Sequence, residues 1–525
     1  MRAPGTAPVP DPQVVPLPDL VIMARERRGP HRPTLAWSAG EALCLPAGLG
    51  PTGLRRAVRV FLGGLTDDEA SRAYARVVAT GTRCPAGEAP HEDDLRRWLS
   101  AHHPAEPHVH TAGSSAPPAR GTIPVPDERA GPGRPRPGIP VGRLSAVQTA
   151  DTVPMLDGTW HLGLATWAAP DLRLAGPHAG RTAGALADTP ERARLLAAAE
   201  ATERFAAGDV RPRDLVLAPA EELDEPWLDP RRIVAYTPRQ YARHADLVEF
   251  DPRVPRSWVL GRTPSGSPVR VLADLVHCPF RPVGAGPVHC RATSSGVATG
   301  TTFEDAARRA HAELVERDRI MRFWYGRRVP ARIDPATVPA RGRYLVGVLE
   351  RYGLEVDLVD LSTPSTAVVA ALAHGPERLV CGCGAGEPSR AAMQALREAT
   401  ICAAQPPAGG TDPHRVDGPT DHRALFEDPR GVERASFLWS SRRPAVRLDG
   451  LPSPREHGAQ RLPAGAVLVD LTSELTAPLH VVRCLLPGTV PMSFGHDLEP
   501  LGLPGFVAHP RGRGQDGPLP PHPFA

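Results

Sequence analysis

The sequence predicts a mixed α/β (α+β) fold whose larger part carries a duplicated acidic helix, preceded by a small N-terminal α/β domain. Three observations predict this. Residues 189–204 and 302–317 read as copies of one acidic helix. From about residue 143 onward, short apolar runs alternate with segments of helical spacing. A stretch dense in Pro, Gly, Ser and Ala at 103–142 separates that part from the N-terminal unit.

The duplicated segment carries the most information. Each copy has a Glu, and nine residues later Glu-x-x-Glu-Arg: Glu191, Glu200, Glu203 and Arg204 in the first, Glu304, Glu313, Glu316 and Arg317 in the second. Both copies are rich in Ala, Leu and Arg, which favour helix. Residues three apart share a helix face, so each helix presents two carboxylates side by side. Adjacent like charges destabilise a helix unless a cation offsets them. Four such carboxylates suit a hard cation such as Mg2+, which takes oxygen ligands and bridges to phosphate oxygens. One copy alone would read as a solvated face of Glu/Arg pairs; the repetition argues against that.

Taken in order, residues 1–19 are Pro-rich and read as a flexible N-terminus. Residues 20–102 read as the small domain, with strands at 19–23 and 34–37 and helices at 54–62, 67–80 and 92–101. Residues 103–142 read as linker. In the main body, 143–525, strands are predicted at 160–167, 269–276, 355–361, 366–372, 467–471 and 480–486. Helices are predicted at 192–207, 303–325, 345–352 and 389–404, an exposed loop at 405–423, and an irregular tail from 511.

Composition excludes several functions. The length of 525 residues allows roughly two to four domains. A net charge of +3 gives no polyanion-binding signal, so no nucleic-acid partner is expected. The chain has no lysine; all 61 basic residues are Arg. A Gly-Lys-Ser/Thr phosphate loop, a Schiff-base lysine and a kinase-type lysine are therefore excluded. The 8 cysteines include no Cys-x-x-Cys pair, and Cys381-Gly-Cys383 is too close for zinc spacing. His102, His103, His108 and His110 lack flanking acids or thiols at fixed spacing. Cys290 has no base placed by sequence to activate it. Trp324-Tyr325 reads as core. No apolar run is long enough to span a membrane and no signal segment opens the chain, so a cytoplasmic location is the expectation.

A third polar helix places Gln394 and Glu398 on one face, with Met393, Leu396 and Ile401 expected to bury the other. Immediately before the second acidic helix lies Thr293-Ser-Ser-Gly-Val-Ala-Thr-Gly, a small-residue turn of the kind that offers N–H groups and hydroxyls to an anion.

At these residues the chain resembles the YcaO family. The resemblance is carried by Ser294-Ser-Gly296-Val-Ala298-Thr-Gly300 running to Glu313-x-x-Glu316-Arg317-Asp318, and by Glu191 with Glu200-x-x-Glu203-Arg204. Gln394-x-x-x-Glu398, Arg483-Cys-Leu-Leu-Pro487-Gly488 with Phe494-Gly495-His496, and the ending Pro520-Pro-His522-Pro523-Phe524-Ala525 complete it. The last is similar to the ending of azoline-forming members. The resemblance spans roughly residues 140–525.

It implies a YcaO-like core with duplicated halves, ATP and Mg2+ as cofactors, and activation of a peptide backbone amide. In the azoline-forming cyclodehydratases a Cys, Ser or Thr side chain attacks the preceding carbonyl. ATP then phosphorylates the former amide oxygen, and phosphate leaves to give a thiazoline or oxazoline. By this resemblance Glu200, Glu203, Glu313, Glu316 and Glu398 hold metal, and Glu398 also contacts nucleotide. Ser294, Arg204, Arg317 and Gln394 would likewise contact nucleotide. Pro523 and Ala525 would reach the reacting groups, where the terminal carboxylate helps move protons. The implied partners are a precursor peptide, an E1-like or ThiF-like protein that delivers it, and a flavin-dependent dehydrogenase; a homodimer is compatible. Residues 20–102 faintly resemble winged-helix peptide-recognition modules, which add a peptide strand to a sheet edge; a generic domain or docking surface is the other option. Backbone thioamide or amidine formation, or a degenerate scaffold, are the alternatives to azoline formation. The chain departs from the family at Leu186 (a lysine-bearing turn), Leu196 (Ser), Ser295 (Asn) and Ala525 (Pro).

Overall fold

The computed structural model describes four strand backbones within residues 13–44, and residues 121–125, 138–141, 145–156, 158–167, 182–211, 214–278, 287–405, 416–454, 461–506 and 519–524. Strands β1 (Gln13–Pro16), β2 (Leu20–Arg25), β3 (Arg32–Trp37) and β4 (Ala42–Cys44) form an antiparallel meander. β2 and β3 coincide with the two strands read from sequence. β1 falls inside the stretch read as a flexible N-terminus. The helices expected at 54–62, 67–80 and 92–101 lie outside the described residues.

Three further sheets make up the body. The first runs β5 (Gly121–Pro124), β6 (Gly138–Val141), β7 (Val147–Met155), β8 (Trp160–Trp167), β9 (Thr182–Ala187). Two segments of the stretch read as linker are thus strands of this sheet. The reason is alternation: Ile123, Val125, Ile139 and Val141 all point into its core, a signal masked by the surrounding Pro and Gly. The second sheet runs β10 (Val216–Ala218), β11 (Arg256–Arg262), β18 (Val467–Asp470), β19 (His480–Leu485), β13 (Val297–Gly300), with β12 (Pro268–Leu272) paired to β11. The third is β14 (Ala331–Arg332), β15 (Glu355–Asp360), β16 (Ala367–His374), β17 (Leu379–Gly386).

Of the helices, α1 (Pro190–Gly208) lies on β7, β8 and β9 and also touches β13. Short helices α2 (Pro238–Arg243) and α3 (Ala273–Val276) follow; α3 replaces the second half of the strand expected at 269–276. α4 (Phe303–Tyr325) packs on β13 and β19, α5 (Ala340–Arg351) on α6, and α6 (Pro388–Ala404) on β16 and β17. α7 (Pro419–Ala424) and α8 (Pro429–Ala435) follow, and α7 occupies the end of the segment expected to be loop.

The two acidic helices begin alike. Thr189 and Thr302 are N-caps whose hydroxyls accept the N–H of Arg192 (3.2 Å) and Asp305 (3.1 Å). Each of α1, α4 and α6 starts within a few residues of the end of a strand: β9, β13 and β17. Each also lies with its backbone on a strand glycine. A Cβ on Gly163 would sit 2.1 Å from the Ala193 carbonyl oxygen. On Gly300 it would sit 2.3 Å from the Ala306 nitrogen, and on Gly382 2.1 Å from the Ala395 oxygen. The helix faces turned inward are small residues: Ala193, Ala197 and Ala201 in α1, and Ala391, Ala395 and Ala399 in α6. Glycine on the sheet and alanine on the helix bring the two layers unusually close. Met393 and Ile401, expected to bury the apolar face of α6, are only partly buried; the alanine stripe and Leu396 do so instead.

Candidate functional site

The close seating of three helices fixes where their polar faces meet. α1 supplies Glu200, Glu203 and Arg204; α4 supplies Glu313, Glu316 and Arg317; α6 supplies Gln394 and Glu398. Arg204 lies 3.4 Å from Glu200 and 3.7 Å from Glu203. Arg317 repeats the arrangement at 3.6 Å from Glu313 and 3.8 Å from Glu316. Glu398 is held by the backbone N–H of Cys383 on β17 (3.0 Å) and by the Gln394 amide (3.3 Å). The first Glu of each copy, Glu191 and Glu304, sits in the first helical turn instead, where a carboxylate complements the helix dipole.

The carboxylates sense one another across helix boundaries. Burial, then Glu313, push Glu203 well above the usual carboxylate range, against the pull of Arg204. Burial raises Glu313 and Glu398 also, opposed first by Arg317 in each case. Glu316 is pushed up to about 8 by burial and by Glu398 and Glu313, with Arg317 opposing. Burial works against the charge on Arg204 and Arg317, but the surrounding glutamates more than offset it and raise both. Such an acid-rich cluster in a shielded site is costly when empty, and clustered perturbed groups of this kind mark functional sites.

One atom of the cluster stands out. The Glu316 side chain is 2% exposed, and its Oε1 is buried with no hydrogen-bond partner. A hard cation is the natural ligand for such an oxygen. Among the described residues, no three His, Cys, Asp or Glu side chains form a ready-made cation cage. Mg2+ is commonly held by one or two carboxylates together with water and phosphate oxygens. The residues therefore fit a Mg2+–nucleotide pair: the glutamates would take the metal, with the paired arginines and Gln394 beside them.

The turn before α4 borders this cluster. Gly296 adopts φ +78°, and a Cβ there would meet the Cys484 carbonyl oxygen at 2.6 Å. The Ser294 carbonyl accepts the Val297 N–H (2.9 Å) and closes the turn, leaving Ser294 half-buried at its rim. Ser295, where the family pattern has Asn, is buried and accepts the Met492 N–H (3.2 Å). Leu186 is 2% exposed in the core beside Trp160, so it contributes no polar contact.

Three residues not singled out as site residues complete the surroundings. Arg483 is buried, donates to the Thr293 carbonyl (2.6 Å) and lies within electrostatic reach of Glu313. Its motif was visible in the sequence, but its inward register on β19 was not. Asp318 accepts the Val490 N–H (2.8 Å) and Arg322 (2.7 Å), tying the 487–492 segment to α4. Cys383 contributes its backbone N–H, which no side-chain pattern signals. Trp324 and Tyr325 are core residues, 2% and 3% exposed. Pro523 is buried, and the adjacent His522 feels the Arg317 charge; Ala525 lies outside the described residues.

Buried glutamates on three helices, braced by two arginines, form the candidate site for an ATP- and Mg2+-dependent enzyme. The family comparison names the same two cofactors. The family model for "YcaO cyclodehydratase", ATP- and Mg2+-binding, matches residues 185–490. The chain belongs to the YcaO family, and its cofactors are ATP and Mg2+. An uncharacterised protein of Methanothermobacter thermautotrophicus is 27% identical over 327 residues, covering 57% of this chain and 79% of that protein. A heterocyclase solved with substrate and cofactor has a TM-score of 0.58 at 14% identity, over 92% of this chain and 73% of that one. YcaO from Methanopyrus kandleri, solved with AMPPCP and Mg2+, has a TM-score of 0.47 at 20% identity, over 66% and 86% of the two chains. The mixed α/β fold is that of the YcaO heterocyclases, and the function is of the cyclodehydratase kind. Among the described residues, no helix is long and apolar enough to cross a membrane.

Proposed function

We propose that the chain closes thiazoline or oxazoline rings at Cys, Ser or Thr of a ribosomally made precursor peptide. The observation that carries this is the orphaned, buried Oε1 of Glu316 among Glu203, Glu313 and Glu398. When bound, Mg2+–ATP supplies a phosphoryl group for the former amide oxygen, so that phosphate can leave in place of water. Glu200, Glu203, Glu313, Glu316 and Glu398 would hold the metal; Arg204 and Arg317 pair with the glutamates and would neutralise phosphate charge. Gln394 orients Glu398, and Ser294 lines the nucleotide turn. Charge is thereby stabilised by groups already in place, which lowers the cost of the transition state. Pro523 is buried next to His522, which feels the Arg317 charge, and in this reading the tail reaches the reacting groups, where a terminal carboxylate would help move protons. Delivery of the peptide by an E1-like or ThiF-like partner, and later oxidation by a flavin-dependent dehydrogenase, complete the proposed setting. Residues 20–102 form the N-terminal docking or peptide-recognition domain in this reading.

The test is incubation of candidate precursor peptide with the chain, its delivery partner, ATP and Mg2+, followed by mass measurement. Loss of one water per modified residue with matching ATP consumption supports ring closure. With sulfide added, exchange of an amide oxygen for sulfur in place of ring closure would move the reading to thioamide formation. A second reading, a non-catalytic scaffold, draws on the buried Leu186, which leaves the first half without its expected cation. Peptide binding with no ATP consumption would establish it.

A further inference from the structure

The C-terminal segment is held in an unusual way. No helix or strand includes residues 519–524, yet Leu519 and Phe524 are buried in the core cluster formed by α4, the third sheet and the 490–506 segment. Trp324 donates its indole N–H to the Pro520 carbonyl (3.0 Å). His422, on α7, is 1% exposed and lies 100 residues away in sequence. Its Nδ1 is 3.0 Å from the His522 carbonyl, and its Nε2 lies 3.3 Å from the Gly495 N–H. A neutral imidazole has one donor and one acceptor nitrogen. Here the carbonyl requires Nδ1–H and the amide requires a bare Nε2, so one tautomer satisfies both. On the other side, His522 Nε2 donates to the Ser493 carbonyl (2.9 Å). Phe494 packs edge-on to both imidazoles, at 5.1 Å and 5.3 Å. The same short segment is bonded to the nucleotide turn, because Thr293 donates to the Met492 carbonyl (2.9 Å) and Ser295 accepts its N–H (3.2 Å).

We propose that His422 is the positioning residue that seats the C-terminal tail. It bridges the His522 backbone to the Gly495 loop, and so fixes where Pro523 and the residues after it point. The inference rests on the ring-closing reading for the tail's catalytic role, but the seating itself does not. A buried, satisfied histidine is often only packing. Here, however, its acceptor is the residue next to Pro523, in a segment with no regular secondary structure of its own. Losing the bridge should release the tail while leaving the metal site and the fold in place.

Two measurements on the full chain test this. The first is hydrogen exchange of the tail peptide in wild type, His422→Ala and His422→Gln. His422→Ala should speed exchange at the His522 and Phe524 amides by roughly tenfold or more with α4 unchanged, whereas Gln, which can both donate and accept, should restore part of the protection. The second is turnover with and without the last six residues. His422→Ala should lower kcat by about 100-fold with KM for ATP within a few-fold. In the chain ending at Leu519 the same substitution should cost nothing further. Unchanged tail exchange, or an equal additional loss in the truncated chain, overturns the proposal. A wild type that closes no rings defeats the functional reading instead, and the exchange measurement still decides the seating.

Discussion

At the scale of single residues, the site is a balance between burial and pairing. Glu316 is the sharpest case, because its carboxylate is almost fully enclosed, with Arg317 at 3.8 Å and no hydrogen bond to Oε1. Glu316→Gln removes the ligand charge yet keeps the volume. Turnover should fall by about 100-fold or more, while thermal stability at neutral pH without nucleotide holds or rises, since folding no longer has to keep this carboxyl protonated. Steady-state ATP consumption and thermal melts check this; a variant that keeps wild-type turnover removes Glu316 from the metal set. Arg317→Lys is equally informative. The guanidinium faces Glu313 and Glu316 and touches the Met492 sulfur (3.4 Å), and a single ammonium cannot span all three. Activity should drop by at least about tenfold, read as a loss in kcat/KM for ATP.

The structural elements are positioned by residues with little or no side chain. Gly382 on β17 lets α6 lie directly on the strand, and a Cβ there would meet Ala395 oxygen at 2.1 Å and Glu398 Cβ at 2.8 Å. Gly382→Ala should therefore push α6 and Glu398 outward, costing on the order of 1–3 kcal/mol and impairing activity beyond the stability loss. Gly347 on α5 is the control, because nothing lies within 4 Å of its missing Cβ. Gly347→Ala should stabilise by roughly 0.5–1 kcal/mol with activity unchanged. Denaturant titration of the two variants separates the effects. These elements were unevenly legible in the sequence. α4 matches its expected span at both ends, because a long acidic and alanine-rich helix is dominated by local propensity. β5 and β6 were read as linker, and β7, β9 and β17 were not identified. Their Gly, Ala, Thr and Pro content carries little apolar alternation, and pairing with distant strands stabilises them.

Across the whole molecule, burial of polar groups is not confined to the metal site. Glu499 is 1% exposed, receives the Tyr325 hydroxyl (3.2 Å), and has an Oε2 with no hydrogen-bond partner. Burial pushes its carboxyl up to about 8, with Asp497 adding to the shift and the Tyr325 hydrogen bond opposing it. The sign follows directly. An unfolded Glu ionises near pH 4.5, while the folded one stays protonated until about pH 8. Below 4.5 both states hold the proton and the group is neutral to stability. As pH rises from 4.5 to 8 the unfolded state gains ionisation that the folded state lacks, so stability is progressively lost. Glu499→Gln should be nearly neutral at pH 4.5 and stabilising by on the order of a few kcal/mol at pH 8. Melting curves at the two pH values measure it, and equal shifts at both would show that Glu499 is not held protonated.

The amino-acid sequence alone determined which side chains are the candidates for the chemistry. The repeated Glu-x-x-Glu-Arg, the Gln394–Glu398 pair and the small-residue turn are local patterns, and helix geometry places each set on one face without reference to the rest of the chain. Tertiary structure alone decided that these faces meet and that Glu316 Oε1 is left without a hydrogen-bond partner. It also decided that Arg483 points inward beside Glu313 and that His422 reaches the His522 backbone. Each of these facts depends on contacts between segments far apart in the chain, where strand register and close helix–sheet packing set direction. Local propensity carries no information about either.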